Sequence, residues 1–570
     1  AERIPPMNEK LAAARFLQPS LAPASAAEIC EMLEYPADRK LGDVALPCFK
    51  LSKTLRKAPQ KIAEDLCAAV KEQPESAEIF EKIENVNGYL NFYVSDKAVL
   101  EDLLAMDKEN FGSSEIGKGK TVVIDYSSPN IAKPFHIGHL RSTVIGQSIK
   151  NILRFCGYNC VGVNHLGDWG TQFGKLIVAY KKWGNREEIE TRGIKALTEI
   201  YVKFHEEAEK DPALEEEARE AFSKMEKGDE ECISLWKWFV DISIAEFKKV
   251  YNLIGADFES WNGESFYFDK TEGVVNALKE KNLLKFDGGA YIVPLDEYGM
   301  PPCLILKSDG STIYATRDIA AAFYRKKTYD FDKCIYVTSA GQSLHFAQFF
   351  KVIELMGEKW AKDLVHVPFG TVSIGGEKLA TRTGNVILLE DLFREATEKT
   401  LAVINEKNPT LENKEEVASA VGVGAVIFHD LSNGRIKDIN FIWDEVLNFD
   451  GNTGPYVQYT YARCSGILEK AGDFAAADWV LTSDAERAII KTLGLFPEKV
   501  DQARRELEPS VISRYLLEVC AEFNRFYHDC PVLKADDESV RATRLGIVKA
   551  TANVLCNGLH LIGLKTPKNI

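Results

Sequence analysis

Apolar and polar positions recur with different periods along the chain, and a clear change of period falls near residue 120. TVVIDYS, at 121–127, is a mainly apolar run typical of a buried strand. The next stretch, from His136 to Gly157, has the 3.6-residue period of a helix, and CVGVNHL at 160–166 is strand-like again. A strand, a helix and a second strand in this order predict a β-α-β unit with a parallel sheet.

The segments around this unit predict three domains. Residues 1–112 predict a small α/β domain, because an amphipathic stretch precedes the alternating residues 87–94. Residues 113–390 predict an α/β core with a doubly wound parallel sheet, which a mainly helical, charged insertion at about 171–250 interrupts. Residues 391–570 repeat the 3.6-residue period and predict a helical C-terminal domain.

Shorter segments of the core also have strand character. The glycine- and serine-rich segment 111–120, which precedes the core, predicts a linker. The further predicted strands lie in GAYIVPL, CLILKSDG, STIYATR, KCIYVTS and LVHVPFGTVSI, between residues 289 and 374.

Composition narrows the class of protein without identifying it. The 570 residues exceed what one core of about 250–300 residues accommodates, and no apolar run reaches the roughly 20 residues of a membrane span. AERIPPMNEKLAAARF, at the start, has no signal-peptide core, and the twelve cysteines include no CxxC pair. We therefore expect a cytoplasmic protein with reduced thiols and no membrane contact. The net charge of −15 disfavours a broadly basic surface but leaves a local basic path open.

Candidate chemistry concentrates in SSPNIAKPFHIGHLRST, at 127–143, where the strand gives way to the helix. His136 and His139 are three positions apart and so lie on one side of a helix, while Lys133 adds a positive charge. The start of a helix exposes unpaired N–H groups that attract anions, and Gly138 leaves room for a ligand against the backbone. The sequence predicts a phosphate site at the carboxyl end of a sheet strand.

Other interpretations of these residues are open at this point. The two histidines could ligate a metal, although no Cys, Glu or His at suitable spacing completes a tetrahedral set, or they could be ordinary helix-start residues. GSSEIGKG, at 112–119, nearly matches a P-loop, but Gly119 replaces the hydroxyl residue and the segment precedes a strand. It is better interpreted as part of the linker.

Longer motifs resemble a known family. HIGH at the head of a helix is the signature of class I aminoacyl-tRNA synthetases, and the chain resembles arginyl-tRNA synthetases over nearly its whole length. The resemblance implies a Rossmann-like catalytic core with HIGH and KMSKS-type motifs, an extra N-terminal domain that contacts tRNA, and an all-α anticodon-binding domain. The motifs that carry it are SSPNIAKPFHIGHLRSTVIG, NHLGDWGTQFGKL, KSDGSTIYATRDIAAAFYR, IYVTSAGQSLHFAQFF and FNRFYHDCPVL.

The second class I signature, KMSKS, corresponds here to GGEKLATRTGNV. Lys378 and Arg382 are in register with it, but Thr381 stands where the second lysine of the class usually lies. In the arginyl family a lysine just upstream of HIGH is thought to supply the missing charge, and Lys133 matches that position. The resemblance therefore assigns catalytic roles to Lys133, His136, His139, Lys378 and Arg382.

The resemblance also implies the reaction and its partners. The substrates would be L-arginine, ATP and the tRNA for arginine, with Mg²⁺ carried by ATP and no metal held tightly by the protein. No protein nucleophile is needed, because positioning and stabilisation of phosphate charge suffice. The family expectation for the oligomeric state is a monomer. Two alternatives are a synthetase for another amino acid and a non-catalytic tRNA-binding relative.

Individual binding residues follow from the same resemblance. A guanidinium is best held by carboxylates and an aromatic partner. Asp318 could instead be an acid that stabilises the helix dipole, and His165 and Asp168 match the family without an assignable role. The residues implied for arginine are Asp125, Ser128, Pro129, Asn130, His139, Tyr314, Asp318 and Gln342, and those for ATP are His136, Gly138, His139, His345 and Lys378.

Contacts with tRNA are expected in the first and last domains. Exposed aromatic side chains can stack on unpaired bases, and Tyr456, Tyr459 and Tyr461 are the candidates, with Arg463 for phosphate. Packing inside the helical domain is the alternative for each tyrosine. The lysines within 50–61 are either a tRNA contact or a solvated helix face.

Overall fold

The first hundred residues form a small antiparallel sheet covered by helices. The structure is a computed structural model that describes residues 8–375, 377–378, 387–474 and 478–570. Three strands pair in the order β1-β3-β2, and the apolar face of α4, with Ile62, Leu66 and Val70, packs against them. The elements are α1 (Glu9–Leu17), α2 (Ala26–Met32), β1 (Val44–Pro47), α3 (Ser52–Leu55), α4 (Pro59–Lys71), α5 (Ser76–Ile79), β2 (Phe80–Val86), β3 (Tyr89–Val94) and α6 (Asp96–Ala105).

The middle of the chain forms the parallel sheet and its covering helices. Four strands are parallel in the order β10-β9-β4-β5. The elements are β4 (Thr121–Asp125), α7 (Leu140–Phe155), β5 (Asn159–Val163), α8 (Thr171–Trp183), α9 (Arg186–Arg192), α10 (Ile194–Lys210), α11 (Ala213–Glu226), α12 (Glu230–Ile254), α13 (Glu264–Tyr267), α14 (Thr271–Glu280), β6 (Lys285–Asp287), β7 (Ala290–Val293), β8 (Cys303–Leu306), α15 (Tyr314–Tyr329), β9 (Lys333–Ser339), α16 (Ser343–Leu355), β10 (Leu364–Phe369), β11 (Val372–Ile374) and β12 (Glu377–Lys378).

Both faces of this sheet are buried, as the apolar run in β4 predicts. Val122 and Ile124 join the core that contains α7, whereas Val123 joins the core of α15 and α16 that contains Ile319 and Phe349. Helices therefore cover the sheet on two sides, and the predicted doubly wound core is confirmed.

Two local predictions are wrong. STIYATR, predicted as a strand, contains the start of α15 at Tyr314. Its strand character is limited to an isolated bridge between Thr312 and Leu306. Segment 111–120 is not a free linker, since Ser114 N–H donates to the Phe155 carbonyl and Gly117 N–H to the Cys156 carbonyl. The predicted insertion is helical, as α8 to α12 show.

The rest of the chain is almost entirely helical. A short strand, β13, pairs in parallel with β11, and together with β12 they form a separate three-stranded sheet in the order β12-β11-β13. Within the described ranges, no helix is long and apolar enough to cross a membrane. The elements are α17 (Leu389–Lys407), α18 (Lys414–Leu431), β13 (Ile439–Phe441), α19 (Trp443–Val446), α20 (Gly454–Ala471), α21 (Asp484–Gly494), α22 (Phe496–Glu506), α23 (Ser510–Asp529) and α24 (Glu538–Leu561).

Candidate active site

A cavity of about 590 Å³ opens at the carboxyl ends of the four parallel strands. In this article it is called the central cavity. Ligands of open α/β sheets bind at this edge, where the strand order changes direction on either side of β4. Its lining includes Asp125, Ser128, Asn130, Gly138, His139, His165, Glu264, Tyr314, Asp318, Tyr336, Gln342 and His345.

The turn after β4 is held in an uncommon backbone conformation. Ser127 and Ser128 have φ angles of 73° and 52°, which L residues adopt rarely. Several hydrogen bonds fix them: Ser127 N–H donates to Ser142 Oγ, and Ser128 N–H donates to Asn164 Oδ1. Tyr251 of the helical insertion contacts Ser127 Oγ at 2.7 Å. The turn therefore presents Asn130 rigidly at the cavity.

Asn130 also depends on a close approach of two loops. Its backbone pairs with Gly167, and a Cβ on Gly167 would lie 1.9 Å from Asn130 Oδ1. Pro129, which is buried, accepts a hydrogen bond from the Gly167 N–H. The predicted residues Ser128, Pro129 and Asn130 thus lie together at one end of the cavity.

The two histidines of HIGH lie side by side in front of the helix. Their ring centroids are 4.2 Å apart, but the α-helix begins only at Leu140, after a 3₁₀ turn over Ile137–His139. The predicted helical first turn is thus 3₁₀, with His136 at its N-cap in an extended conformation. A Cβ on Gly138 would lie 2.6 Å from His136 Cε1, so the ring can fold back only over a glycine.

Backbone hydrogen bonds fix the protonation of both imidazoles. Gly138 N–H donates to His136 Nδ1 at 2.9 Å, and His136 N–H donates to His139 Nδ1 at 3.1 Å. Burial lowers the pKa of His136, and burial together with the neighbouring His136 lowers the pKa of His139 to about 3. Each ring is therefore neutral at pH 7 with its proton on Nε2, and it can donate that proton to an anionic oxygen.

The other residues predicted to contact phosphate lie around the cavity or beyond the described positions. Lys133 is exposed on the loop before HIGH and does not line the central cavity. The backbone of Lys378 ends β12, and Arg382 lies outside the described residues. The carbonyl of Ile387, five residues after Arg382 in the sequence, accepts a hydrogen bond from Ile137 N–H. Backbone shortly after the KLATR segment thus pairs with HIGH.

Two predicted carboxylates line the cavity, and each already has a partner. Asp318 Oδ2 accepts a 2.6 Å hydrogen bond from His345 Nε2. Asp125 Oδ2 lies 2.9 Å from Nη1 of the buried Arg325, and its Oδ1 accepts from Ser128 Oγ at 3.0 Å. His345, which is predicted to bind ATP, therefore contacts Asp318, one of the carboxylates predicted to bind arginine. The negative charge of Asp125 is balanced by Arg325 within the protein.

Sequence reasoning missed a third carboxylate, that of Glu264 at the start of α13. Burial raises its pKa to about 7, against a lowering effect of Arg317. Gly263 allows this approach, because a Cβ there would lie 2.4 Å from the Leu166 carbonyl oxygen. No periodic pattern marks Glu264. The signal in the sequence was a single acidic residue between WNG and the aromatic run SFYF.

Asp168 acquires a structural explanation from the same loop. Both of its carboxylate oxygens accept hydrogen bonds from Ser265, from the N–H at 2.8 Å and from Oγ at 2.7 Å. Burial raises the pKa of Asp168, and the two bonds oppose that effect. Asp168 therefore holds the start of α13, which carries Glu264.

The predicted aromatic and amide groups, Tyr314 and Gln342, also line the cavity. Tyr314 is 67% exposed at the start of α15, one turn before Asp318. Gln342 is exposed in the turn after β9 and lies in the same lining as Asn130. Within the described part of the chain, no three His, Cys, Asp or Glu side chains are grouped so that they could hold a metal ion.

A second cleft, of about 820 Å³, lies in the helical region and is called here the helical cleft. Of the predicted tRNA contacts, Tyr459 and Arg463 line it together with Tyr527, Lys470, Lys565 and Lys568. Tyr456 accepts a hydrogen bond from Asn524 Nδ2, and Tyr461 packs on the core. Tyr459 and Arg463 are therefore open to a ligand, whereas Tyr456 and Tyr461 are partly buried.

Three family models match the chain in consecutive regions. "Arginyl tRNA synthetase N terminal domain" matches residues 9–94, and "tRNA synthetases class I (R), catalytic domain" matches residues 100–443, which is more than half of the chain. "DALR anticodon binding domain" matches residues 457–570.

Whole-chain relatives agree with these matches. An arginine–tRNA ligase of Alkaliphilus metalliredigens is 54% identical over 551 residues, 95% of this chain and 96% of the relative. One of Clostridium beijerinckii is 54% identical over 539 residues, 94% and 95% of the two chains. The solved arginyl-tRNA synthetases of Thermus thermophilus and Plasmodium falciparum are both 26% identical, with TM-scores of 0.82 and 0.79, and they cover 99% and 100% of each chain.

The chain is similar to named arginine–tRNA ligases over nearly its whole length, and the two histidines of HIGH are held by backbone hydrogen bonds. These observations do not favour the alternative of a non-catalytic tRNA-binding relative. The predicted fold class is confirmed as well, from the N-terminal domain through the parallel-sheet core to the helical domain. The chain belongs to the arginyl-tRNA synthetases, the class I enzymes that ligate arginine to tRNA.

Proposed function

We propose that arginine and ATP react in the central cavity. The arginine carboxylate attacks the α-phosphorus of ATP, which forms arginyl-adenylate and releases pyrophosphate. A hydroxyl of the terminal ribose of the tRNA for arginine then accepts the acyl group, and AMP leaves. The observation that carries this proposal is one cavity whose lining combines the neutral imidazole of His139 with the partly buried carboxylates of Asp318 and Glu264.

The phosphates of ATP would meet the histidine side of the cavity. The Nε2–H groups of His136 and His139 would donate to phosphate oxygens. The backbone N–H groups of Ile137, Gly138 and His139 at the helix start are already paired within the protein, so the imidazoles rather than the helix end would supply these donors. We propose that Lys133, Lys378 and Arg382 contribute positive charge to the phosphates. Because the imidazoles are neutral, they would stabilise the developing charge by oriented hydrogen bonds, while the lysines and the arginine supply the formal positive charge.

The guanidinium of arginine would meet the carboxylate side. We propose Asp318 and Glu264 as its direct partners, with Tyr314 against its face, because all three line the cavity and the two carboxylates are close enough to interact electrostatically. Asn130 and Gln342 would hold the amino and carboxyl groups, on the turn shaped by Ser128 and Pro129. Asp125 would form the wall between these two sets of residues.

Other partners are proposed on the basis of the reaction. Mg²⁺ would enter with ATP, bound mainly to phosphate oxygens and water. The helical cleft, with Tyr459 and Arg463, would bind unpaired bases of the tRNA. The chain would act as a monomer in the cytoplasm, where its twelve free cysteines would stay reduced.

Charging of total tRNA with each labelled amino acid in turn, in the presence of ATP and Mg²⁺, tests the proposal. We expect arginine alone to be attached, and His139→Ala to lower the rate by about 10²-fold, because it removes one fixed donor. His205→Ala, which alters an exposed histidine of α10, is the matched control and should charge normally. Attachment of another amino acid, or full activity of His139→Ala, would contradict the assignment.

A further inference from the structure

A buried guanidinium lies directly behind the wall of the central cavity. Arg325, on α15, is 1% exposed and its Nη1 is 2.9 Å from Asp125 Oδ2. Its guanidinium also lies 5.6 Å from the ring centroid of Tyr336. Asp125 and Tyr336 both line the cavity, whereas Arg325 does not. The contact is an ion pair without hydrogen-bond geometry, but a charge buried this deeply requires its partner, so Arg325 and Asp125 are held close to each other.

The contact continues from Asp125 into the turn that presents Asn130. Asp125 Oδ1 accepts from Ser128 Oγ at 3.0 Å, and Ser128 Oγ in turn accepts from His165 N–H at 3.2 Å. Ser128 has a φ of 52°, a conformation that needs such external support. Arg325 therefore holds this turn through Asp125.

The helix that carries Arg325 also carries the proposed guanidinium site. Asp318 lies seven residues before Arg325, which is two helical turns, so the two side chains leave α15 on the same face. Asp318 contacts the cavity from the start of the helix, and Arg325 holds the strand β4 from further along it. One rigid element thus connects the two ends of the proposed arginine site.

We infer that Arg325 is a positioning residue that sets the distance between Asp318 and the Asn130 turn, and thereby the side-chain length of the amino acid accepted. This inference rests on the proposed placement of arginine in the central cavity. Arg325 also compensates the charge of Asp125. Without Arg325, Asp125 would carry an unpaired negative charge on the cavity wall. A substrate guanidinium could then bind Asp125, which is closer to the Asn130 turn than Asp318 is.

The test is the preference for arginine over guanidino amino acids one methylene shorter or longer, measured as kcat/KM in tRNA-supported ATP–pyrophosphate exchange. In Arg325→Met we expect this preference to fall at least ~tenfold, most of all against the shorter analogue, because a well-fitted methylene discriminates by about 10- to 200-fold. KM for ATP should change less than about twofold, since the histidine side is untouched. Arg325→Lys should retain part of the preference.

Two further variants separate positioning from loss of stability. Arg487→Met removes another buried arginine, which pairs with Asp96 far from the cavity, and it should lower the melting temperature without changing the preference. Asp125→Asn combined with Arg325→Met leaves no unpaired buried charge, so it remains testable if the single variant does not fold. It should also lose preference.

Two results would overturn the inference. One is an equal loss of kcat/KM for all three amino acids, and the other is an unchanged preference for arginine in folded Arg325→Met or in the double variant. Failure of the proposed site is a different result. It would appear as unchanged KM for arginine in Asp318→Asn, whatever Arg325→Met does.

Discussion

The central cavity and the helical cleft are built in opposite ways. In the cavity the polar groups are already engaged: His139 accepts from the backbone, and Asp318 accepts from His345. In the cleft the rings of Tyr459 and Tyr527 are 41% and 42% exposed, and the Arg463 guanidinium lies 5.3 and 5.1 Å from their centroids. One surface is fixed before a ligand arrives, and the other is open.

The difference matches the two kinds of ligand proposed. Fixed hydrogen-bond donors and partly buried carboxylates recognise a small molecule of one shape, and they stabilise charge without reorganising. Exposed rings and cations stack on bases of many kinds and on flexible strands. Substitutions in the cavity should therefore change activity sharply, and substitutions in the cleft should mainly weaken tRNA binding.

The largest effect is expected for Asp318→Asn. Loss of a charge-assisted partner that the bound guanidinium would cover costs about 2–5 kcal/mol, so kcat/KM for arginine should fall by about 10³-fold while KM for ATP stays nearly constant. Steady-state ATP–pyrophosphate exchange at saturating tRNA measures both constants. The matched control is Asp330→Asn at the other end of α15, where the carboxylate is 93% exposed. A comparable loss in both variants would indicate damage to the helix rather than to the site.

The fold and the histidine side of the site could be predicted because their signals are local. Periods of apolar residues give the β-α-β unit, and HIGH stands within one strand-to-helix junction. Tyr314 and Asp318 were found through a motif, although the strand predicted for STIYATR was wrong. The β-like residues there end at Thr312, and the helix that follows is held by packing against the sheet.

The carboxylate side could not be predicted in full because it depends on distant contacts. Glu264 reaches the cavity only through a loop that Asp168 holds, and Asp125 is neutralised by Arg325, two hundred residues further along the chain. Nothing in the spacing of a single sequence reports such pairs. The protonation of His139 was hidden for a different reason, because the N–H of His136, only three residues away, determines it through the conformation of the 3₁₀ turn.

A smaller effect is expected in the cleft. Tyr459→Ala removes one stacking surface worth about 1–3 kcal/mol, so KM for tRNA should rise about tenfold while kcat at saturating tRNA is unchanged. Tyr298→Ala is the control, since Tyr298 is equally exposed, at 41%, and has Lys351 over its ring, but lies outside both clefts. An effect on kcat, or none on KM for tRNA, would contradict the proposed separation of the two surfaces.

The smallest effect is a pH dependence that only the cavity should show. Burial raises the pKa of Glu264 to about 7, and a bound guanidinium favours its ionised form, so arginine must displace the proton at lower pH. Between pH 8 and 6.5 the ionised fraction falls about fourfold, and KM for arginine should rise by the same factor. His139 cannot produce this change, because its pKa of about 3 keeps it neutral throughout. Glu264→Gln should therefore raise KM for arginine and flatten its pH profile, while KM for tRNA stays constant with pH in both proteins. If the pH dependence of KM for arginine persists in the variant, the proton belongs to another group.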